Sequence, residues 1–501
     1  MYAGSRGRPG RGRRPGRLVG FNSLPVVAIA GFMWLALAGP PALDARELTR
    51  EDSWEETLRF GIDSEIEAIL DQIAQSGEAG LDGAIVERFR ASRSEKLRTA
   101  IVAHMTARRS AALHEQVRSL VLSDDVAVGE ELLRACTTYL SQVVEDRSPE
   151  VLARYAQTAE RSSVLTATVA IEAIGRDGSD EAVDLLLSLF GRLRGVDQRA
   201  AVLRALGHAG SEQALPLLTM IAADEFEDGA LRHYATESIG RIAAPESLTL
   251  LASLLASSDS LLRAYAILAL GFYDTDESGL HLEAGLLDSF WRVRVAALRA
   301  LGEQKRTEAI PAIAYKARRD PEAPVRQEAI RTLGRIESEA GHTILRDIAR
   351  NERSPVVERT LAIEQLVRHD AVRNRDVIEE LIAAEWRRES SRVLDAIGRL
   401  LSEHAVPELD AIYGRLVTHP NAIIRVYGMR AMGNANLRSR GDELKAIARA
   451  NPSGIEGRAA LASLSAMGVD FDPAGPTDRD APADRDASAG TAPAGGEPPA
   501  P

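Results

Sequence analysis

The stretch Asp288-Ser-Phe-Trp-Arg-Val-Arg-Val-Ala-Ala-Leu-Arg-Ala-Leu-Gly302 has a near copy in Asp320-Pro-Glu-Ala-Pro-Val-Arg-Gln-Glu-Ala-Ile-Arg-Thr-Leu-Gly334. Each begins on an acid and ends on an aliphatic residue followed by glycine, with arginine eight residues before the glycine and alanine five before it. The apolar positions −5, −4 and −1, counted from the glycine, share one face at 3.6 residues per turn. They predict a helix of about ten residues, ended by a glycine at the C′ position where positive φ is cheap.

Outward from these two segments, the same ending recurs at Ile174-Gly175, Leu206-Gly207, Ile239-Gly240, Leu270-Gly271, Ile397-Gly398, Met432-Gly433 and Met467-Gly468. Leu366-Val367 stands where one copy has lost its glycine, and the intervals run from 31 to 35 residues. Arginine recurs at −8 as Arg199, Arg232, Arg263, Arg294, Arg326, Arg359 and Arg425; a small residue recurs at −5 as Ala235, Ala266, Ala297, Ala329, Ala362 and Gly428. Each interval holds a second apolar run at helical spacing, such as Ala214-Leu215-Pro216-Leu217-Leu218 or Ile310-Pro311-Ala312-Ile313-Ala314. Two helices per repeat make a hairpin that cannot cover its own apolar faces, so each unit needs a neighbour on both sides. The fold class is therefore all-α, an α-solenoid of tandem helical hairpins with about nine to eleven units. Asp259, Asp288 and Asp320, just upstream of the arginines in the turn between the two helices, predict a ladder of charge-assisted bonds along the stack.

These segments resemble the short class of HEAT repeats, of roughly 30 residues each, and the resemblance covers residues 160–468. Upstream, Lys96-Leu-Arg-Thr-Ala-Ile-Val-Ala-His-Met105 and Glu130-Glu-Leu-Leu-Arg-Ala-Cys-Thr-Thr-Tyr-Leu140 keep the period but lack the glycine. Residues 46–159 read as divergent N-terminal helical repeats, with an atypical cap over residues 50–90. The resemblance implies that the arginine-to-glycine helix is the second of each pair and lines the concave side.

Composition agrees with close-packed helices. Aromatic residues are only 4% of 501, so the core must be built from Leu, Ile, Val and Ala, which argues against a β-rich fold. A single cysteine, Cys136, excludes an intramolecular disulfide and any zinc site with more than one thiolate; its helical apolar context reads as a buried, inert thiol. The nine histidines show no metal-binding spacing and read as surface or helix-end residues. No nucleophile elbow, Walker loop or dinucleotide fingerprint is present. A likeness to deoxyhypusine hydroxylase, which shares the repeat, would require paired His-Glu motifs for two irons, and the chain has one, His114-Glu115. Bilin lyases share it too, but no chromophore pocket is recognisable. The sequence thus implies no catalytic residue, metal or cofactor.

The ends differ from the body. Residues 1–23 carry six arginines and no acid, and Leu24-Pro-Val-Val-Ala-Ile-Ala-Gly-Phe-Met-Trp-Leu-Ala-Leu-Ala38 is uncharged. A basic region followed by an apolar run predicts a signal peptide over residues 1–38, with Ala36 and Ala38 at the −3 and −1 positions of a cleavage site. The alternative is an uncleaved N-terminal anchor, although 15 apolar residues are short for a bilayer span. Residues 469–501, rich in Pro, Ala, Gly and Asp, predict a disordered acidic tail. The net charge of −12 belongs in full to residues 46–468, because the basic leader offsets the tail. Nucleic acid is therefore not an expected partner.

What remains is recognition along a surface. Positions −6 and −3 of the second helix are neighbours lying off the core stripe, and in several repeats they hold tyrosine or arginine, which are enriched in interface hot spots. Tyr234, Tyr265, Arg299, Arg331, Tyr427 and Arg430 are the candidate partner-binding residues of the concave face. The competing reading makes tyrosine a filler between helices and arginine a solvated cover. The functional expectation is an exported, periplasmic or cell-envelope, non-catalytic scaffold or adaptor for a protein or peptide, touching membrane only if residues 24–38 stay uncleaved. The alternative is an enzyme or cofactor-attachment factor, bilin-lyase-like or metal-dependent, with a small molecule in the groove.

Overall fold

A computed structural model describes residues 50–473 except 77–79, 124–127 and 389. The leader at residues 1–38 and nearly all of the tail at residues 469–501 lie outside the described residues. Among the described residues there are twenty-six α-helices and no strand. Odd-numbered helices, from Arg50–Phe60 to Gly441–Ala450, form an outer layer; even-numbered ones, from Asp63–Ser76 to Ile455–Ala466, form an inner layer. The result is an α-solenoid of thirteen helical pairs, more than the nine to eleven read from sequence. The stacking crosses residue 160 without a break, since Pro149–Arg161 packs on both His114–Leu122 and Val164–Asp177.

Outer helices often start with a 3₁₀ turn and a proline in their first turn, as in Leu215–Ala223 and Ile310–Arg319. Proline is tolerated there because its missing N–H would have no intrahelical partner. Some inner helices begin on a side-chain cap, as where Asp259 accepts from the Leu261 and Leu262 amides. Their −5 residues Ala235, Ala266, Ala297, Ala329 and Ala362 are fully buried, as the pattern requires.

The recurring glycine has a different job from the one predicted. Gly175, Gly207, Gly240, Gly302, Gly334 and Gly433 lie inside helices that continue past them. The left-handed residue comes three positions later, at Gly178, Gly210, Ala243, Lys305, Glu337 and Asn436, with φ between 51° and 71°. Only the last copy, Gly468, has positive φ itself. What demands glycine is the next inner helix. A Cβ on Gly175 would sit 2.8 Å from Ala205 Cβ, on Gly240 2.4 Å from Ala269 Cα, and on Gly271 2.8 Å from Ala300 Cβ. The helix tolerates the conformational cost of an internal glycine, about 1 kcal/mol, in exchange for contact along its whole length. Inner helices touch their successors far more extensively than outer ones do, so the stack curves with the inner layer on the concave side.

The arginine ladder exists, but each rung reaches forward to the next pair. Arg263 donates through Nε and Nη2 to Asp288 at 2.8 and 2.9 Å, and Arg294 does the same to Asp320 at 2.9 and 2.8 Å. Arg199, Arg326, Arg359 and Arg425 repeat this with Glu227, Glu358, Glu385 and Glu456. The upstream aspartate serves its own arginine through the backbone: Arg294 donates to the carbonyl of Asp288, Arg326 to that of Asp320. Arg232 is the exception, donating to the Ala222 carbonyl, while its neighbour His233 takes Asp259 at 2.8 Å.

Three histidines, His104, His342 and His419, are buried, each at a helix end. Tyr273 is buried with its hydroxyl on the Ala244 carbonyl, whereas its neighbour Phe272 is half exposed. Cys136 is fully buried, and desolvation pushes its thiol up to about 12, with nearby Arg98 opposing.

Gly240→Ala should lower stability by about 1–3 kcal/mol, because its Cβ would meet the backbone of the next inner helix. Gly441→Ala, with open space around it, should change the urea midpoint little. The ladder also sets an acid limit. The Arg263 hydrogen bonds hold the Asp288 carboxyl below its usual range against opposing burial; at Asp320 burial is outweighed by Arg294 and the Glu322 amide. Both groups have lower pKa values folded than unfolded, so their stabilisation is present above pH 3.8 and is lost as pH falls through the folded values. Asp320→Asn should flatten that acid limb in urea titrations and cost about 3–5 kcal/mol at neutral pH by stranding buried Arg294.

Candidate interaction surface on the inner helices

The inner helices bring the six sequence candidates together in three places. Tyr234, on Gly229–Ile242, and Tyr265, on Ser260–Leu270, meet edge to face with ring centroids 6.3 Å apart. His233 stacks on Tyr265 at 5.0 Å, and the Arg204 guanidinium lies over Tyr234 at 5.2 Å. Leu268 and Phe272, 37% and 49% exposed, continue the Tyr265 face at i+3 and i+7. Arg241 covers the edge of Phe272 at 5.8 Å and pairs with Glu237 at 2.9 Å. The product is an apolar strip with arginines on its flanks. Burial, with Tyr234 and Glu237 nearby, pushes the Tyr265 phenol up, so it stays a neutral hydrogen-bonding group.

Arg299 and Arg331 meet through a carboxylate at the −6 position, which the sequence reading did not select as a candidate. Glu328 is buried, and its oxygens lie 3.5 Å from Arg299, 3.4 Å from Arg331 and 3.0 Å from Arg335. Glu328 holds three guanidinium groups on the inner face while leaving Arg299 and Arg331 largely accessible, their side chains 58% and 41% exposed. Tyr427 and Arg430 stand three pairs further on, apart from the other four. Tyr427 packs over Gly398, its ring carbon 2.8 Å from where a Cβ would be, while Arg430 is exposed. The −6 and −3 rule does not reach His233 or Phe272; it includes Glu328 at −6, but spacing along one helix does not show that this carboxylate also takes Arg299 of the preceding inner helix.

The lone His-Glu pair lies elsewhere: His114 Nε2 faces Asp146 at 3.5 Å, beside the Arg118–Asp146 rung at 3.1 Å. Among the described residues there is no group of three or more His, Cys, Asp or Glu side chains placed to hold a metal ion.

Residues 58–462 match the family described as spirochaete HEAT repeat protein. The chain belongs to that family. The match starts about a hundred residues before the in-phase motif at residue 160 becomes readable, so the first pairs are part of the same HEAT array. Among curated proteins, a deoxyhypusine hydroxylase of Candida albicans is 34% identical over 106 residues, 20% of this chain and 31% of the relative. Among solved structures, Kap121p is similar with a TM-score of 0.40 at 13% identity, over 83% of this chain and 53% of that one. Human deoxyhypusine hydroxylase in complex with glycerol gives 0.25 at 18% identity, over 51% and 96%. The HEAT chain thus spans under a third of the curated relative and about half of Kap121p.

Glu328→Ala should destabilise the HEAT array by about 1–3 kcal/mol, because three arginines lose their shared carboxylate. Arg299→Ala should stay within about 0.5 kcal/mol, as expected of an exposed side chain. Thermal melts of the two variants separate the buried anchor from the accessible surface.

Proposed function

We propose that this HEAT repeat protein is an exported, non-catalytic scaffold that binds a protein or peptide along its concave inner face. The observation that carries the reading is the aromatic strip of Tyr234, Tyr265, Leu268 and Phe272 between Arg204 and Arg241. In a chain with 4% aromatics, an accessible aromatic and aliphatic strip edged by arginine is the composition found at hot spots. Arg299, Arg331 and, further along, Tyr427 and Arg430 extend the surface to anionic or hydrogen-bonding groups of the partner. The basic-then-apolar leader at residues 1–38 supports export.

Photo-crosslinking residues placed at positions 268 and 299, with position 315 on the outer layer as control, test the surface in the native cell envelope. Tyr315 is 63% exposed on Ile310–Arg319, so it reports non-specific contact. Crosslinks to one partner from both inner positions, those from position 268 weakened at least about tenfold by Arg299→Glu with Arg430→Glu, are expected. Crosslinks confined to position 315 would overturn the reading. A chain beginning at Gly39 by intact mass is the expected result for export, and a stoichiometric metal or chromophore in the purified protein would favour the enzymatic alternative instead.

A further inference from the structure

The period of left-handed residues places the missing glycine positions in the first pairs. Inner helices of the regular repeats turn left-handed three residues after the glycine. Counting back from Arg109 (φ 54°) and Glu145 (φ 53°) puts Thr106 and Gln142 at the glycine position. Gly175 and Gly240 meet Ala205 and Ala269 of the next inner helix; the residue in that register opposite Gln142 is Ala173. Gln142 brings a long side chain to the place where the regular repeats have a hydrogen atom. The inner helix Glu130–Tyr139 runs into a π-helix, Leu140–Val144, a distortion found often at functional sites. A cavity of about 400 Å³ opens at this point, lined by Thr106, Gln142 and Ala173 together with Arg109, Arg176, Tyr155 and Asp177.

The polar groups of this cavity are unsatisfied in a specific way. Tyr155 is 1% exposed and its hydroxyl has no hydrogen-bond partner. Asp177 accepts from Ser179 through Oδ1, but its buried Oδ2 has none. Buried polar atoms without partners are uncommon and mark places where a further group belongs. On the rim, Arg109 has no side-chain partner among the described residues, and Arg176 has only a 3.4 Å contact to Ser141. The remaining charges are engaged: Asp146 with Arg118 and His114, Arg147 with Glu145. That leaves two cations at the mouth and one acceptor within.

We propose that this cavity binds a small amino- or hydroxycarboxylate, its carboxylate held by Arg109 and Arg176 and its amino or hydroxyl group donating to Asp177. Paired guanidinium groups suit a carboxylate by charge and fork geometry, and the volume lies at the small end of ligand pockets. The site is separate from the aromatic strip on the later repeats, so each can fail without the other.

The test is calorimetric titration of the full folded chain with the standard amino acids and with lactate, malate and citrate. Acetate, which lacks the donor, ethanolamine, which lacks the carboxylate, and inorganic phosphate, a simple anion without a carboxylate, serve as controls. The expected result is saturable binding of one probe per chain with Kd below about 1 mM, weakened at least tenfold in Arg109→Ala/Arg176→Ala. Both arginines are exposed, so that variant keeps its melting temperature. Gln142→Gly provides the second variant: it restores the glycine register and removes binding while the arginines remain. No probe binding below about 1 mM overturns the proposal. So does phosphate or acetate binding as tightly as the best probe, or binding that survives the double arginine variant.

Discussion

The approach of each inner helix to the next is the constraint on which this molecule depends. At Gly175, Gly240 and Gly271 a single Cβ would stand under 3 Å from the neighbouring helix, so the spacing of the whole inner layer is set by the absence of a side chain. Small residues on the facing helix complete the contact. Hydroxyls there add a bond across it, as when Ser238 donates to the Leu203 carbonyl, Thr332 to that of Leu298 and Ser463 to that of Met429. A helix packed this closely contributes backbone and Cβ surface to the core, which is why Ala and Leu suffice where other folds use Phe and Trp. The outer helices have no such contact and lie further apart, so curvature follows.

Alignment along the stack falls to the ionic ladder. A pair such as Arg294–Asp320 is almost wholly removed from water, and a buried charge without its partner is far more costly than the pair is favourable. Arg294 also donates to the Asp288 and Ser289 carbonyls of the turn before its own helix, so one side chain ties that turn to the next unit. Because the rungs point forward, each pair depends on its successor. Glu328 applies the same chemistry to the exposed inner face, where one buried carboxylate presents several guanidinium groups in a fixed array.

Departures from the regular contact are where the structure offers something besides stability. At Gln142, where the regular repeats have glycine, a polar cavity lies beside the inner helices. At Tyr234 and Tyr265 aromatic rings meet on the concave face in place of the alanine and arginine found at the same positions elsewhere. Tyr427, at an equivalent position, is drawn into the gap over Gly398, so equal register does not confer equal exposure.

The period, the pairing of helices, the apolar stripe, the small −5 residue and the existence of an arginine ladder were all legible in the residues, since each arises from spacing along one helix. The first pairs were hard to read because their glycines are Thr106 and Gln142, yet Arg98 and Arg134 stand eight residues before them in the same phase. The role of glycine was not legible: a helix-ending residue and a helix-contact residue look alike in sequence, and only the position of the positive φ three residues later separates them. Nor was the direction of the ladder, because both the preceding and following acids lie at plausible distance along the chain. The sequence by itself determined a solenoid, because local periodicity and the inability of one hairpin to bury its own faces leave no other arrangement. Which tyrosines stay accessible, which carboxylate gathers the arginines and where a polar cavity lies were decided only by tertiary structure, because each depends on side chains from units about thirty residues apart meeting across a helix contact.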